Sequence, residues 1–344
     1  DIGQILLGNA PTVILNLNLD EIPNILDTNV DKFLRLIHIL HGIAYDIVDR
    51  YAELEPAKRA MVWCDDNGEE HFFTFKDFAE KSNQTANFLI KHGIKKGDTV
   101  LLILRRRYEF WYFILALHKI GAIAVPATNQ LLSKDIEFRA NAASIKMVVS
   151  YQDSLVQQRI EEAMPASPSV KELVTVGSHR DGWVDFYSEM ENISTDFVRP
   201  AGDAATQNSD TMLLYFTSGT SGNPKMVQHN FAYPLGHIVT AKYWQNVIDG
   251  GLHFTVAETG WAKAVWGKLY GQWICGSAVM VYDMNSFSPS KTIDVISRYK
   301  VTTFCAPPTT YRFLVKVDAK KYDLSALKYV VTAGEALTPE LFES

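Results

Sequence analysis

A loop rich in glycine and hydroxyl groups, directly after a hydrophobic run, constrains the fold of this chain most. The loop reads Thr217-Ser218-Gly219-Thr220-Ser221-Gly222-Asn223-Pro224-Lys225, and residues 212–216 before it are all apolar or aromatic. Glycines let backbone N–H groups turn inward, and hydroxyl groups and Lys225 add donors and positive charge. Because α/β sheets bind ligands at strand ends, the sequence predicts a phosphate-binding loop after a buried strand. The alternative is a surface turn with Lys225 as a solvated lysine.

Two better-known loops are excluded by residue identity. A Walker A loop has the pattern G-x-x-x-x-G-K-[ST], but counting from Gly219 places Pro224 at the second glycine and Met226 at the metal-binding hydroxyl. The hydrolase nucleophile elbow has the pattern G-x-S-x-G, and Asn223 stands where its last glycine belongs. The loop therefore belongs to neither class.

Helix and strand patterns alternate along most of the chain. The predicted strands are 100–104, 122–125, 147–150, 212–216, 278–282, 303–305 and 329–332. One predicted helix is capped by Thr74 and ends at His92-Gly93. The other predicted helices are 108–120, 133–143, 288–299 and 309–317. Repeated β-α-β units have parallel strands, so we expect an α/β fold with two stacked, mostly parallel sheets and flanking helices.

The polar segment 199–210 is interpreted as a boundary between two lobes. This interpretation divides the chain into a first lobe at 44–204 and a second lobe at 205–344, with the segment 1–43 unassigned.

Composition and charge exclude several classes of protein. Hydrophobic residues make up 47% and charged residues 21%, which excludes a disordered or fibrous chain. The net charge is -6, and the densest basic cluster, Arg105-Arg106-Arg107, is short, so no nucleic-acid partner is expected. His118-Lys119 interrupts the longest apolar stretch, residues 110–126, so no membrane span is predicted.

The cysteines indicate neither a disulfide framework nor a metal site. Cys64, Cys275 and Cys305 are widely spaced and odd in number, and each is expected to be a small buried residue in a reducing compartment. No basic segment of the kind that begins a signal peptide is visible at the start. We therefore expect a cytoplasmic location.

The glycine-rich loop resembles the signature of the adenylate-forming superfamily, [ST]-S-G-[ST]-[ST]-G-x-P-K, and every fixed position is matched. The motif Ala333-Gly334-Glu335-Ala336-Leu337 resembles the superfamily segment that lies along the adenine of ATP. Glu258-Thr259-Gly260-Trp261 and Trp273-Ile274-Cys275-Gly276 resemble segments of medium-chain acyl-CoA synthetases, although Glu258 replaces the usual Asp. Residues 306–312 are similar to the A-P-x-x-Y-R stretch of the same group. The resemblance implies the layered αβαβα large domain of these enzymes.

The function implied by the resemblance is that of an AMP-forming acyl-CoA synthetase. Such an enzyme joins a carboxylic acid to ATP to give an acyl-adenylate and pyrophosphate, and the thiol of coenzyme A then displaces AMP. ATP, Mg²⁺ and coenzyme A are the implied substrates and cofactor, and the acid is a small molecule, either a medium-chain fatty acid or an aryl acid. The alternatives are an adenylation domain that loads a carrier protein and a non-catalytic module that binds nucleotides or acyl groups. No oligomeric state is predicted.

The resemblance also implies roles for single residues. Hydroxyl groups of the loop are expected to donate to the phosphates of ATP, with Lys225 neutralising the departing pyrophosphate and Thr220 and Lys225 as the catalytic pair. The complete predicted phosphate site is Thr217, Ser218, Gly219, Thr220, Ser221, Gly222, Asn223, Pro224 and Lys225. His229 could be read as a base near this site, but the chemistry needs none, because a carboxylate is already ionised near neutral pH.

Three further contacts are predicted. Gly334, Glu335 and Ala336 are expected to line the adenine, the alternative being an ordinary strand-to-helix turn. Trp261 is expected to form a wall of the acyl pocket, the alternative being a core tryptophan. Gln130 is expected to contact coenzyme A.

Several superfamily motifs have no counterpart in the sequence. These are a Tyr-Gly-Gln-Thr-Glu motif, a ribose-binding Asp and a mobile catalytic Lys, which follow the adenine motif in the superfamily. The chain is therefore expected to correspond to the large N-terminal domain and to make little acyl-CoA by itself.

Overall fold

The computed structural model describes residues 44–217 and 224–343, all of them within one compact unit. The predicted N-terminal segment 1–43 lies outside the described residues. No helix in the described part is long and apolar enough to cross a membrane.

The described strands form two sheets. The strands are β1 Arg59–Asp65, β2 Glu70–Thr74, β3 Thr99–Ile103, β4 Ile123–Pro126, β5 Met147–Tyr151, β6 Glu172–Val176, β7 Val184–Asp185, β8 Thr211–Thr217, β9 Lys225–Asn230, β10 Leu252–Thr255, β11 Ala278–Asp283, β12 Thr303–Ala306 and β13 Tyr329–Thr332. A six-stranded sheet has the order β13-β12-β10-β11-β1-β2, and a seven-stranded sheet has the order β7-β6-β5-β3-β4-β8-β9. Only the β1–β2 and β8–β9 pairs of these sheets are antiparallel, which confirms the prediction of two mostly parallel sheets.

Helices cover both sheets. They are α1 Ala44–Leu54, α2 Phe75–Lys91, α3 Glu109–Ile120, α4 Ser133–Ala142, α5 Ser154–Ala163, α6 Phe186–Met190, α7 Tyr233–Val239, α8 Ala262–Lys268, α9 Tyr270–Ile274, α10 Pro289–Arg298, α11 Pro308–Leu314 and α12 Pro339–Glu343. The predicted cap of α2 is confirmed: Thr74 accepts from the amide of Asp77, and the Asp77 carboxylate accepts from the amide of Thr74. Gly121 ends α3 at a φ of 71°, as its position in the sequence predicts.

Successive residues of one strand point to opposite faces of its sheet and are buried in different cores. The cores on the two faces therefore show the order in which sheets and helices are layered. Val100 and Leu102 of β3 pack in the core between the sheets, together with α2 and α3. Leu101 and Ile103 point the other way and pack under α4 and α5. The opposite face of the six-stranded sheet packs under α10 and α11. The result is helix, sheet, helix, sheet, helix, and the predicted layered αβαβα fold is confirmed.

The predicted lobe boundary at residues 204 and 205 does not coincide with the division between the sheets. β1 and β2 belong to the same sheet as strands 252–332, whereas β8 and β9 belong to the sheet of strands 99–185. The cause is long-range pairing, since β1 lies parallel to β11 and β8 lies parallel to β4. Such pairing leaves no local signal in the sequence, so a composition change at 199–210 could not reveal it.

Three buried tryptophans connect the layers through their indole N–H groups. Trp63 of β1 donates to the carbonyl of Arg106 at 2.9 Å, and Trp111 of α3 donates to the carbonyl of Lys268 at 3.0 Å. Trp273 of α9 donates to the carbonyl of Ala60 at 2.8 Å. The β1–β2 register shifts between Arg59 and Met61, and this irregularity frees the Ala60 carbonyl from the ladder. Each bond satisfies a buried donor and fixes one layer against another.

We expect Trp273→Phe to lower the free energy of unfolding by roughly 2–4 kcal/mol, because it leaves the Ala60 carbonyl without its donor and opens a small cavity. The change is measured as a lower midpoint of urea unfolding. Trp261→Phe is the matched control, because 62% of Trp261 is exposed and it should shift stability by no more than about 0.5 kcal/mol. Equal midpoints for the two variants would contradict the assigned role of Trp273.

Candidate active site

A cavity of about 560 Å³ lies where the carboxyl ends of strands from both sheets meet. Its wall is formed by segments that directly follow six parallel strands. They are Arg105-Arg106 after β3, residues 128–130 after β4, residues 256–258 after β10, Met284-Asn285 after β11, Pro307 after β12 and residues 333–335 after β13. This is the edge at which open α/β sheets bind ligands.

The cavity brings together residues from three separately predicted contacts. Gln130, Trp261, Gly334 and Glu335 all line it. Ala336 follows Glu335 at an exposed position. Residues predicted to contact coenzyme A, the acyl group and adenine therefore border one space, although their individual roles stay predictions.

The predicted phosphate loop is described only at its flanks. Thr217 and Lys225 are an opposed, exposed pair at the end of the β8–β9 hairpin, and Pro224 is half-buried. The residues Ser218, Gly219, Thr220, Ser221, Gly222 and Asn223 lie outside the described residues. The buried strand predicted before the loop is confirmed as β8. Because β8 runs parallel to β4, Thr217 lies at the carboxyl end of its strand, as do the cavity segments.

Trp261 is a cavity residue rather than a core residue. It immediately precedes α8, and 62% of its surface is exposed. The alternative that Trp261 packs in the core is therefore wrong, because its ring stands at the cavity wall.

The segment that carries Trp261 is fixed against two neighbouring loops. A β-carbon added to Gly260 would lie 2.2 Å from the amide nitrogen of Thr128, so only glycine allows this approach. The buried Thr259 hydroxyl donates to the carbonyl of Arg105. The Lys268 ammonium donates to the carbonyl of Ala257 at 2.6 Å. These contacts set the position of Trp261 relative to the Gln130 loop.

The predicted adenine motif is held by the segment that resembles A-P-x-x-Y-R. The amide and hydroxyl of Thr309 both donate to the Glu335 carboxylate. The hydroxyl of Tyr311 donates to the carbonyl of Val331 at 2.9 Å and so anchors β13 ahead of the motif. Gly334 has a φ of 100°, which a residue with a side chain rarely adopts. The motif is therefore a shaped turn with a fixed carboxylate.

Buried charges surround the inner side of the cavity. Burial, together with the positive charge of Arg106, lowers the pKa of Lys268 to about 7. Burial raises the pKa of Glu258, whereas Arg106 and Lys268 oppose that rise. Arg105 has a left-handed φ of 51° and pairs with Asp283 at 3.8 Å. The cluster therefore brings charges of opposite sign together, while Arg106 Nε, Glu258 Oε2 and Asp283 Oδ1 are buried without a hydrogen-bond partner among the described residues.

No cluster of metal-ligating side chains is found in the described part of the chain. In residues 44–217 and 224–343, no three His, Cys, Asp or Glu side chains are grouped closely enough to hold an ion. Mg²⁺ that accompanies a nucleotide needs only one or two carboxylates, because phosphates and water supply its other ligands, so this finding does not bear on the Mg²⁺ that the resemblance implies.

His229 lies on β9, where its ring stacks on Tyr233 with the centroids 3.9 Å apart. Burial lowers its pKa. This packing agrees with a structural histidine rather than a required base. Among the cysteines, Cys64 and Cys305 are buried as expected, whereas Cys275 is only half-buried.

Several residues of the site are not predicted as contacts from the sequence. Arg105 and Arg106 are visible there only as a basic cluster and Glu258 only as a departure from a motif, yet all three line the cavity. Thr309 belongs to a similar stretch and supports the cavity wall by holding Glu335. A usable signal existed, because Arg105, Arg106 and Thr309 closely follow predicted strands, and strand ends are where ligands bind.

We expect Gly260→Ala to push the Trp261 segment away from the Thr128 loop, because the new methyl group would meet backbone atoms that cannot rotate aside. The expected loss is about 1–3 kcal/mol in the free energy of unfolding, measured with urea. Gly236→Ala on α7 is the matched control, because nothing lies within 4 Å of an added β-carbon there. If Gly260→Ala is as stable as the control, the close approach does not constrain the fold.

Comparison with known proteins identifies similar chains over most of this length. The chain is 32% identical over 310 residues to acyl-coenzyme A synthetase ACSM4, mitochondrial, of Rattus norvegicus. The aligned region covers 88% of this chain and 52% of that protein. The chain thus spans about half the length of the curated relatives it matches.

Two solved structures share the fold. A Brucella canis acyl-CoA synthetase has a TM-score of 0.78 at 24% identity, over 88% of this chain and 54% of that chain. The anthranilate CoA ligase AuaEII in complex with anthranoyl-AMP has a TM-score of 0.77 at 25% identity, over 88% of this chain and 57% of that chain.

The prediction of a cytoplasmic location is wrong on this comparison, because the ACSM4 relative is named as a mitochondrial protein. Unpaired cysteines and the lack of a long apolar run are common to cytoplasmic proteins and to proteins inside mitochondria. Those features therefore could not separate the two compartments.

The superfamily predicted from the loop and the adenine motif is confirmed. The AMP-binding enzyme profile matches residues 48–344, and the chain belongs to the AMP-binding enzyme family.

Proposed function

We propose that this protein is an AMP-forming acyl-CoA synthetase, which activates a carboxylic acid with ATP and transfers the acyl group to coenzyme A. The observation that carries the proposal is the single cavity that Gln130, Trp261, Gly334 and Glu335 share. An enzyme that joins three substrates needs their contacts around one space, because holding reactants together removes much of the barrier. The names of the similar proteins, acyl-CoA synthetases and a CoA ligase, support the same activity.

In the first half-reaction, a carboxylate oxygen attacks the α-phosphorus of ATP, and the bond to pyrophosphate breaks. The acid needs no base, since it is already ionised near neutral pH. The barrier comes from the approach of two anions, so donors and cations that surround the phosphates lower it. We assign this role to the loop that Thr217 and Lys225 flank, with Lys225 and Thr220 as its catalytic residues. We assign Gly334 and Ala336 to the adenine, because small residues let a flat base approach the backbone closely, and Glu335 beside them is held in place by Thr309.

In the second half-reaction, the thiol sulfur of coenzyme A attacks the acyl carbon, AMP leaves and the thiol proton is released. Gln130 follows β4 and lines the same cavity as Gly334 and Glu335 of the adenine motif. We assign it a contact with the incoming coenzyme A. Mg²⁺ would arrive with the nucleotide and neutralise phosphate charge. The acid is a medium-chain fatty acid or an aryl acid, and the aryl choice agrees with the anthranoyl-AMP bound by one similar structure.

The proposal is tested by acid-dependent exchange of radioactive pyrophosphate into ATP and by thioester formation with free coenzyme A. Both activities are expected with fatty or aryl acids when the assays use the full-length protein that contains this chain. Exchange without thioester formation would favour an adenylation domain that loads a carrier protein. ATP binding without exchange would favour a non-catalytic binding module.

We expect Lys225→Ala to weaken binding of a non-hydrolysable ATP analogue roughly ten- to hundred-fold, because a charge-assisted contact to phosphate contributes about 1.5–3 kcal/mol. Isothermal titration calorimetry measures the dissociation constant. Lys76→Ala is the matched control, since Lys76 is an exposed lysine on α2 whose partner is Glu80. Equal dissociation constants for the two variants would remove Lys225 from the phosphate site.

We expect Trp261→Ala to shift acid selection toward longer or bulkier acids without much loss of stability, because Trp261 is largely exposed at the cavity wall. Each methylene newly buried in the enlarged pocket adds about 0.8 kcal/mol of binding free energy. Exchange rates with a series of straight-chain acids measure the shift. An unchanged ranking of the acids would place the acyl pocket elsewhere.

A further inference from the structure

One positive charge on the cavity wall has no partner within the described part of the chain. Lys263 lies in the first turn of α8, is half-buried and lines the cavity two residues after Trp261. Its ammonium makes no hydrogen bond and no ion pair with any described residue, and its nearest aromatic ring is Trp266, at 5.9 Å from the centroid. The cavity therefore contains an uncompensated cation.

The other charged side chains of the wall each make a polar contact with a described residue. Arg105 pairs with Asp283, and Arg106 donates to the carbonyl of Met284, although its Nε makes no hydrogen bond. Glu258 accepts from the hydroxyl of Thr259, and Glu335 accepts from the amide and hydroxyl of Thr309. Among the charged lining residues, Lys263 is therefore the one whose charged group makes neither a hydrogen bond nor an ion pair with a described residue.

The charge of Lys263 also acts toward the interior. Burial raises the pKa of the Cys305 thiol on β12, and the positive charge of Lys263 partly offsets that rise. Lys263 is thus close to Cys305 near the end of β12 and lines the same cavity as Trp261, the proposed acyl wall. Thr217 and Lys225, the described residues that flank the phosphate loop, are not among the residues that line this cavity.

A plain hydrocarbon chain suits this position poorly. Filling the cavity with methylene groups would remove the water around the Lys263 ammonium and supply no hydrogen-bond acceptor, which is unfavourable. A role for Lys263 on the reacting carboxylate is also unfavourable, since that carboxylate loses negative charge as it attacks phosphorus. A cation bound there would stabilise the ground state more than the transition state.

We infer that Lys263 is a specificity-determining residue and that the acid bound in the cavity carries a second carboxylate at its far end, which pairs with the Lys263 ammonium. The substrate class is that of dicarboxylic acids or aryl acids with a distant carboxylate. This inference rests on the proposed acid-activating function. It narrows the substrate class from fatty and aryl acids in general to acids of that size that carry a second carboxylate at the far end.

The test compares acids of equal length with one or two carboxylates, namely hexanoate with adipate and heptanoate with pimelate. Calorimetry measures their binding to the purified protein in the presence of a saturating non-hydrolysable ATP analogue, at a pH where both carboxylates are ionised. The variants are Lys263→Met, which removes the charge, and Lys263→Arg, which keeps it. Lys242→Met is the matched control, because Lys242 also lies over an aromatic ring, that of Tyr243, but does not line the cavity.

The wild-type protein should bind each diacid about ten- to hundred-fold more tightly than its monoacid, as expected for a charge-assisted contact. Lys263→Met should abolish that preference, Lys263→Arg should retain most of it, and Lys242→Met should behave as wild type. Thermal unfolding of each variant checks that it folds. The ratio of the monoacid and diacid dissociation constants can be interpreted for any variant that folds. If Lys263→Met does not fold, Lys263→Arg still tests the inference.

Three outcomes would overturn the inference. They are equal affinity for monoacids and diacids in the wild-type protein, an equal loss for both in Lys263→Met, and a loss of ATP-analogue binding in Lys263→Met. The second would place Lys263 on the reacting carboxylate, and the third would place it on the phosphates. Pyrophosphate exchange with monoacids would still support the proposed function in each of these cases, whereas the failure of every acid to bind and to support exchange would remove both.

Discussion

The indole N–H bonds of three buried tryptophans are the interactions on which the site depends most directly. Trp63 and Trp111 donate to the carbonyls of Arg106 and Lys268, and both of these residues belong to the charged cluster beside the cavity. A buried carbonyl that loses its donor is costly, so these bonds fix the backbone that carries the charges. Trp273 does the same for the irregular start of β1. The core between the sheets and the cavity wall are therefore one continuous structure.

This connection explains how charged groups remain close to the core. Lys268 is almost completely buried, and its backbone carbonyl is held by Trp111 while its ammonium holds the carbonyl of Ala257. Glu258 and Asp283 provide negative charge that favours the Lys268 ammonium, whereas the positive charge of Arg106 opposes it. Buried charges are tolerated when other charges and hydrogen bonds compensate them. The hydrogen bond from the buried Lys268 ammonium to Ala257 also fixes the segment before Trp261. The same contact therefore stabilises a buried charge and shapes the site.

Much of the fold follows from local patterns in the sequence. The Thr74 cap, the Gly121 helix end and the strand Tyr329–Thr332 were predictable because caps, turns and apolar runs act over a few residues. The assignment of β1 and β8 to their sheets was not, because it depends on pairing between distant segments. For the site, the motifs predicted Gln130, Trp261, Gly334 and Glu335 as contacts, and these residues line one cavity. The unpaired state of Lys263 could only be seen once its surroundings were known.

The close approach of Gly260 to Thr128 has a consequence for changing this protein by design. The Trp261 segment and the Gln130 loop touch through backbone atoms, so neither can be replaced by a segment of different shape while the other is kept. An exchange of acid preference between related enzymes would have to move both loops as one piece. Single substitutions can alter the chemistry of the cavity wall, whereas the shape of the wall is determined by the Trp261 segment and the Gln130 loop together.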